Sequence, residues 1–418
     1  MFAAAILAAG VVVGPIVVPA VAAGPIREDQ WHLDAMHASD MWKTTKGQGV
    51  TVAVIDSGFK LDHPDLVGQF LPGKDFSGSP GGVGSYAEGH GTQMASLIAG
   101  TGKGDGGKGA YGLAPGVRIL PLKIANGSEK PMVAEEFLGQ IGQAVDYAVD
   151  QGARVINVSQ GIAASRASAD VVAKLNASFA RARAKGSLVV SSVGNSGQSG
   201  NQVEYPGALP NVVGVGAADR NGTVTAESQR GPQVTLVAPG MDMIESCTGA
   251  TGYCKSHGTS DSAALVSASA ALVWSVHPDW TANQILRVLI NTAGKPTDGS
   301  ARTDDAGYGA VRPRVALTEP GDPGPADVPP IPVAETSPTA VPSVSASPAA
   351  VPSASSSPAS SPASSPASSV SGAPTVVPQA EAPEGSGGGG VGLVVAGVVL
   401  GLVLVGGVGV VVWRRRGA

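Results

Sequence analysis

Val50-Thr51-Val52-Ala53-Val54-Ile55-Asp56-Ser57-Gly58 is the stretch on which the fold turns. Six β-branched or small residues run together with little alternation, the pattern of a strand buried on both faces. The run ends abruptly on a carboxylate. Open α/β sheets place functional groups at the carboxyl ends of their strands, so Asp56 stands where a site is expected. Further short strands are read at Val117–Leu122, Arg154–Val158, Ser187–Val193 and Val212–Val215. Helical patterns lie between them, clearest in Val133, Phe137, Leu138, Ile141, Ala144, Val145, Ala148 and Val149. A helix start is read at Thr92–Gly100, with His90 at its lip. Ser260 opens an apolar helix running to Val276, and Thr281 with Gln284 forms a capping box for a last helix, Ala282–Asn291. This alternation predicts the α/β class, with a mostly parallel central sheet and helices on both faces.

Two more glycine-flanked segments supply partners for Asp56. Gly89-His90-Gly91-Thr92 offers a base, and Gly258-Thr259-Ser260 a nucleophile. A serine hydroxyl attacks poorly unless an imidazole takes its proton, and the imidazole needs a carboxylate to fix its tautomer and steady its charge. The chain order Asp, His, Ser is that of subtilisin. With Val193-Gly194-Asn195 as a fourth match, residues Gln30 to Leu317 resemble a subtilase catalytic domain, of subtilisin-like three-layer fold. The resemblance implies that Ser260 is the nucleophile, His90 the general base and Asp56 its orienting group. It implies an oxyanion donor in Asn195, and a pocket for the residue before the cut lined by Ser159, Gln160, Gly161, Ser191, Ser192, Val193 and Gly194. His32, His37, His63, His257 and His277 sit in no comparable motif and read as surface or structural groups. Asp62 and Asp65 read as loop or ion-contacting groups beside Pro64. Two positions depart from the family pattern. Asp261 follows the nucleophile where an apolar residue is usual, and Ala264 stands where proline is usual. Asp261 adds a negative charge that can raise the His90 pKa or oppose an oxyanion. Catalysis of this kind requires no cofactor. Subtilases often carry structural calcium, but no ligand set stands out here and no residue is assigned to metal.

The ends of the chain differ in kind from the middle. Residues 1–22 are almost wholly apolar and end in Ala20-Val21-Ala22, which reads as a secretory signal, with an N-terminal membrane anchor as the competing reading. Residues 23–49 form an N-terminal extension too short for the folding prodomain of secreted subtilisins, and the peptidase domain is expected over 50–317. From 318 to 390 the chain is Pro, Ser, Ala and Val, with Ala-Ser-Ser-Pro repeats, a composition that cannot bury enough apolar surface to fold. Residues 391–413 are an unbroken apolar run followed by Arg414, Arg415 and Arg416, the pattern of one transmembrane helix with residues 414–418 in the cytoplasm and the catalytic domain outside. Cys247 and Cys254, an even pair in a secreted chain, are expected to form one disulfide; a metal site with His257 is the alternative. The net charge of −5, with 14% charged residues, gives no basic face for nucleic acid.

A signal, a Pro-rich spacer, one C-terminal membrane helix and a short arginine tail resemble the mycosins. These are membrane-anchored subtilases that accompany type VII secretion in actinobacteria. The resemblance implies a protein or peptide substrate and a secretion complex as partner. Two other expectations stand beside it: a structural member of a membrane assembly with weak or dispensable proteolysis, and another anchored cell-surface subtilase.

Overall fold

The computed structural model describes residues 25–331, apart from 128–130 and 132. The expected signal, the spacer beyond Ile331, the membrane helix and the arginine tail lie outside the described residues. Within them, no helix is long and apolar enough to cross a membrane.

Three short helical turns open the fold: α1 (Ile26–Asp29), α2 (Trp31–Ala35) and α3 (Ala38–Met41). They lead into β1 (Thr51–Asp56), then β2 (Lys74–Asp75). Helix α4 (His90–Ala99) and a glycine-rich turn, α5 (Gly104–Gly107), precede β3 (Arg118–Lys123). The pattern then becomes regular: α6 (Ala134–Asp150), β4 (Val155–Val158), β5 (Ile162–Ala163), α7 (Ala169–Ala184), β6 (Leu188–Ser192), β7 (Glu204–Tyr205), β8 (Val212–Ala218) and β9 (Val234–Pro239). A hairpin of β10 (Met243–Ser246) and β11 (Tyr253–Ser256) is followed by α8 (Thr259–Val276), α9 (Ala282–Asn291) and α10 (Pro313–Thr318).

Seven strands form one parallel sheet in the order β2-β3-β1-β4-β6-β8-β9. Successive side chains of β1 point to opposite faces, and each face has its own core. Val52 and Val54 join α4, α8 and α9, whereas Ala53 and Ile55 join α6 and α7. This makes three layers. Helix α8 is buried almost all round, from Thr259 to Trp274, which its Ser- and Ala-rich surface permits by close approach to the sheet. After β1 the chain builds outward to β3 and β2, then returns to lay β4, β6, β8 and β9 on the other side. The order therefore reverses at β1, where such sheets leave a crevice beyond their carboxyl ends.

The domain is larger than the sequence suggests at both ends. Residues 25–49 of the expected N-terminal extension are part of the fold: Leu33, Ala38 and Met41 enter the same core as α8, and the buried Gln30 amide donates to the carbonyls of Tyr111 (2.8 Å) and Ile244 (3.0 Å). At the other end, residues beyond 318 are held down as far as Ile331. Arg287 of α9 donates to the carbonyls of Pro323, Pro325 and Val328, Gln284 to Gly324 (2.9 Å), and Thr281 and Asn283 to Ala326 (both 2.9 Å). Proline-rich chain can be ordered in this way because its free carbonyls meet a row of side-chain donors. The expected capping box at Thr281 and Gln284 is present. Cys247 and Cys254 are bonded to each other across the β10–β11 hairpin, so neither sulfur is free to ligate a metal.

Candidate active site

Asp56 ends β1 and is fully buried. It is held by its neighbour, whose Ser57 amide (2.7 Å) and hydroxyl (3.2 Å) both donate to Oδ1. His90 is the first residue of α4, and its Nδ1 lies 2.9 Å from each carboxylate oxygen. The closeness depends on Gly91: a Cβ there would stand 2.4 Å from the Gly58 carbonyl oxygen. The ring stays one-quarter exposed, leaving its far edge toward the cleft. Because Nδ1 faces a carboxylate, the proton of the neutral ring belongs on Nδ1 and Nε2 is left as the base.

Ser260 lies in the first turn of α8, which packs against α4. Its hydroxyl donates to the Ser159 carbonyl at 3.3 Å, and among the described residues no hydrogen bond joins it to His90. Asp56 and His90 are thus brought together, and Ser260 is linked to them through the adjacent residues Ser159 and Gln160, with its proton turned elsewhere. Ser159 reciprocates, its hydroxyl donating to the Ser260 carbonyl at 3.2 Å.

Asn195 reaches the same place from the end of β6. The backbone N–H and the hydroxyl of Thr259 both donate to Oδ1, each at 2.9 Å. An amide whose oxygen is pinned in this way presents Nδ2 as its free donor. Gly258 makes room for it, with φ of 137° and a would-be Cβ 3.0 Å from Nδ2.

The electrostatics are shaped by acids behind the nucleophile. Burial works against a charge on His90, but the charge and hydrogen bond of Asp56, helped by Asp261 and Glu88, win and raise its pKa to about 9. Asp261 is only 2% exposed and accepts the Ser256 hydroxyl at 2.7 Å. Burial lifts its pKa to about 6, against the pull of that bond, His90 and His257. It is therefore mostly ionised at neutral pH. Glu245 beneath it is fully buried with neither oxygen bonded, and burial together with the Asp261 charge holds it well above the carboxylate range. Of this acidic group, Asp261 carries the charge and Glu245 stays neutral.

The residues expected to line the substrate pocket separate into two kinds. Ser191 and Val193 are wholly buried, Val193 in a small apolar cluster with Ala218, Val234 and Val237, so what they can offer a ligand is backbone. Gln160 turns back on the acid–base pair: its Nε2 donates to Asp56 Oδ1 at 3.0 Å and lies 3.2 Å from His90 Nδ1. A contact across 104 positions of sequence leaves no local signal. Asp65 is no surface loop group. It is fully buried and takes the amides of Gly104 (2.7 Å) and Ala110 (3.0 Å) and the Ser246 hydroxyl (3.0 Å), tying the glycine-rich loop to the β10 hairpin. His257, exposed, pairs with Glu227 at 2.9 Å, and His63 packs inside on the Gly252 carbonyl at 2.9 Å.

Comparison with known proteins identifies the family of the chain. Residues 47–311 match the subtilase family. Subtilisin BL of Lederbergia lenta is 33% identical over 251 residues, covering 59% of this chain and 84% of that protein. The crystal structure of MycP1 from Mycobacterium smegmatis is similar with a TM-score of 0.63 at 28% identity, over 75% of this chain and 90% of that one. The MycP3 protease of the type VII (ESX-3) secretion system gives 0.60 at 30% identity, over 69% and 88%. With residues 47–311, more than half of the chain, matched to one family, the chain belongs to the subtilases and is a serine-type endopeptidase.

Proposed function

We propose that Asp56, His90 and Ser260 are the catalytic triad and that Asn195 completes the oxyanion hole with the Ser260 backbone N–H. Rotation of the Ser260 side chain away from the Ser159 carbonyl carries its proton to His90 Nε2, since such bonds tighten when substrate is bound. The Ser260 oxygen then bonds to the peptide carbonyl carbon, and the carbonyl electron pair moves to oxygen. Collapse of the intermediate expels the amine, which takes its proton from His90. Water attacks the acyl-enzyme by the same route and regenerates Ser260. The observation that carries the reading is the Asp56–His90 pair, bonded through both carboxylate oxygens at the cleft edge beside Ser260.

The physiological setting we propose is mycosin-like: a cell-surface protease held to the membrane by residues 391–413, with its catalytic domain outside, serving a type VII secretion complex. The likeness to MycP1 and MycP3 supports it, as does the order of spacer, apolar run and arginines in the sequence. Labelling of the purified chain with a fluorophosphonate probe is the test of the chemistry. Wild type takes up the label and Ser260→Ala does not; equal reaction of the two would sink the assignment. Proteome-wide mapping of new N-termini in membranes with active and Ser260→Ala enzyme then identifies substrates. An unchanged set of secretion-linked termini would remove the mycosin-like role.

A further inference from the structure

The pocket for the residue before the cut lies, on the reading above, between residues 159–161 and 191–194. One charged group stands between these two walls, and no sequence motif marks it. Glu204 belongs to β7, which pairs antiparallel with β5 just after the first wall, in the register Ile162↔Tyr205 and Ala163↔Glu204. This two-residue ribbon brings the Glu204 side chain back under the cleft. A Cβ on Gly161 would lie 3.2 Å from Glu204 Oε2, and a Cβ on Gly194 2.7 Å from Glu204 Cδ. The carboxyl group therefore lies against both glycines, sharing the space at Gly194 with the Gln229 amide, whose Nε2 would be 2.3 Å from a Cβ there.

Its bonding is one-sided. Oε1 accepts from Gln229 Nε2 at 2.8 Å, and the same nitrogen donates to the Ser196 hydroxyl at 2.8 Å. Oε2 accepts no hydrogen bond among the described residues, and no cation among them pairs with Glu204. Partial burial pushes its pKa up, opposed by the Gln229 bond. A half-buried carboxylate with a donor on one oxygen and no counter-charge is an incomplete ion site. An ammonium or guanidinium group supplies the missing partner through short, charge-assisted bonds, whereas an apolar side chain desolvates the carboxylate and gives nothing back.

We propose that Glu204 is the specificity-determining residue of this pocket and selects substrates with Lys or Arg immediately before the scissile bond. The proposal rests on the protease reading of the cleft and narrows its substrate class. Net preference comes from the difference between a paired and a stranded carboxylate, about 10- to 100-fold in kcat/KM.

The test uses the full chain, active by fluorophosphonate labelling, on peptides that differ only in the residue before the cut: Lys, Arg, Leu, Ala or Glu. Wild type cleaves the Lys and Arg peptides about 10- to 100-fold better than Leu or Ala. In Glu204→Gln, whose amide oxygen can still accept from Gln229, the Lys-to-Leu ratio collapses to within a few-fold. Glu204→Lys turns the preference toward the Glu peptide. For wild type the Lys-to-Leu ratio also falls as pH is lowered, because protonation neutralises Glu204. A labelled wild type that cuts Leu or Ala as well as Lys overturns the proposal, leaving the carboxyl as a plug that narrows the pocket. A wild type that neither labels nor cuts any peptide overturns the protease reading, and this proposal with it.

Discussion

Ser260 is followed directly by a carboxylate, Asp261, which is almost wholly buried. Asp261 points away from the cleft, into the Ser256 hydroxyl, yet its charge is still felt at His90. A base must be neutral to accept the Ser260 proton, so kcat/KM is expected to rise with pH toward a midpoint near the His90 value of about 9. Asp261→Asn keeps an acceptor for Ser256 but removes one of the charges that favour imidazolium. Its midpoint should move to lower pH, read from pH–rate profiles of the two enzymes; no movement would show that the charge is screened. The same shift acts on stability. The folded pKa of His90 lies above its ordinary 6.5, so its ion pair contributes in full below about pH 6.5 and is lost as pH rises through about 9. Asn195→Ala should lower kcat by about 10²–10³ with little change in KM, the figure known from subtilisin for its oxyanion donor. Asp56, His90 and Ser260 stood out in the sequence because each sits in its own glycine-flanked motif, in the order Asp, His, Ser. Gln160 on Asp56, and Glu204 between Gly161 and Gly194, did not, because each contact is made through space by a side chain with no local pattern.

Among the elements, those with a long apolar run or a capping signal were the ones the sequence announced. The strand β1, the helix α8 and the capped helix α9 carry long apolar runs or a capping box, and each was found within a residue or two of its expected bounds. Strand β9 went unread. It lies at the sheet edge and ends in Pro239, and proline argues against a strand unless the strand is an edge one. The two-residue strands β2, β5 and β7 are too short to show any period. The hairpin β10–β11 was foreseen only through its cysteines, which close a loop with a sequence separation of 7. That hairpin carries Glu245 and Ser256, the backing of Asp261, on its two strands. Replacing both cysteines by serine should cost about 2–3 kcal/mol, as expected for closing so short a loop. Chemical denaturation of the catalytic domain within the full chain measures it. A loss of activity at temperatures well below unfolding would indicate that the hairpin also steadies the acids behind Ser260.

The whole molecule has two ends that do different things. The cleft opens at the carboxyl ends of the strands, where β1, β4 and β6 deliver Asp56, Ser159 and the approach to Asn195. The opposite end of the sheet receives the strap that follows α10. The described residues finish at Ile331, in a cavity of about 370 Å³ walled by Leu188, Val189, Val212, Val213 and Leu286, beside the amino ends of β6 and β8. Composition put the start of the Pro- and Ser-rich spacer at 318, whereas ordered chain continues to Ile331. It could not register that α9 presents Arg287, Gln284 and Asn283 to the carbonyls of that remainder. The strap has a consequence for self-digestion. Residues 319–331, fastened to α9 near the amino ends of β6 and β8 and away from their own cleft, are a poor intramolecular substrate, so cutting them falls to the active sites of neighbouring copies. Clipping there should be second order in enzyme and slow on dilution, which a concentration series followed by mass spectrometry reads directly. The concentration of the enzyme, rather than turnover by any single copy, would then set how long the strap stays whole.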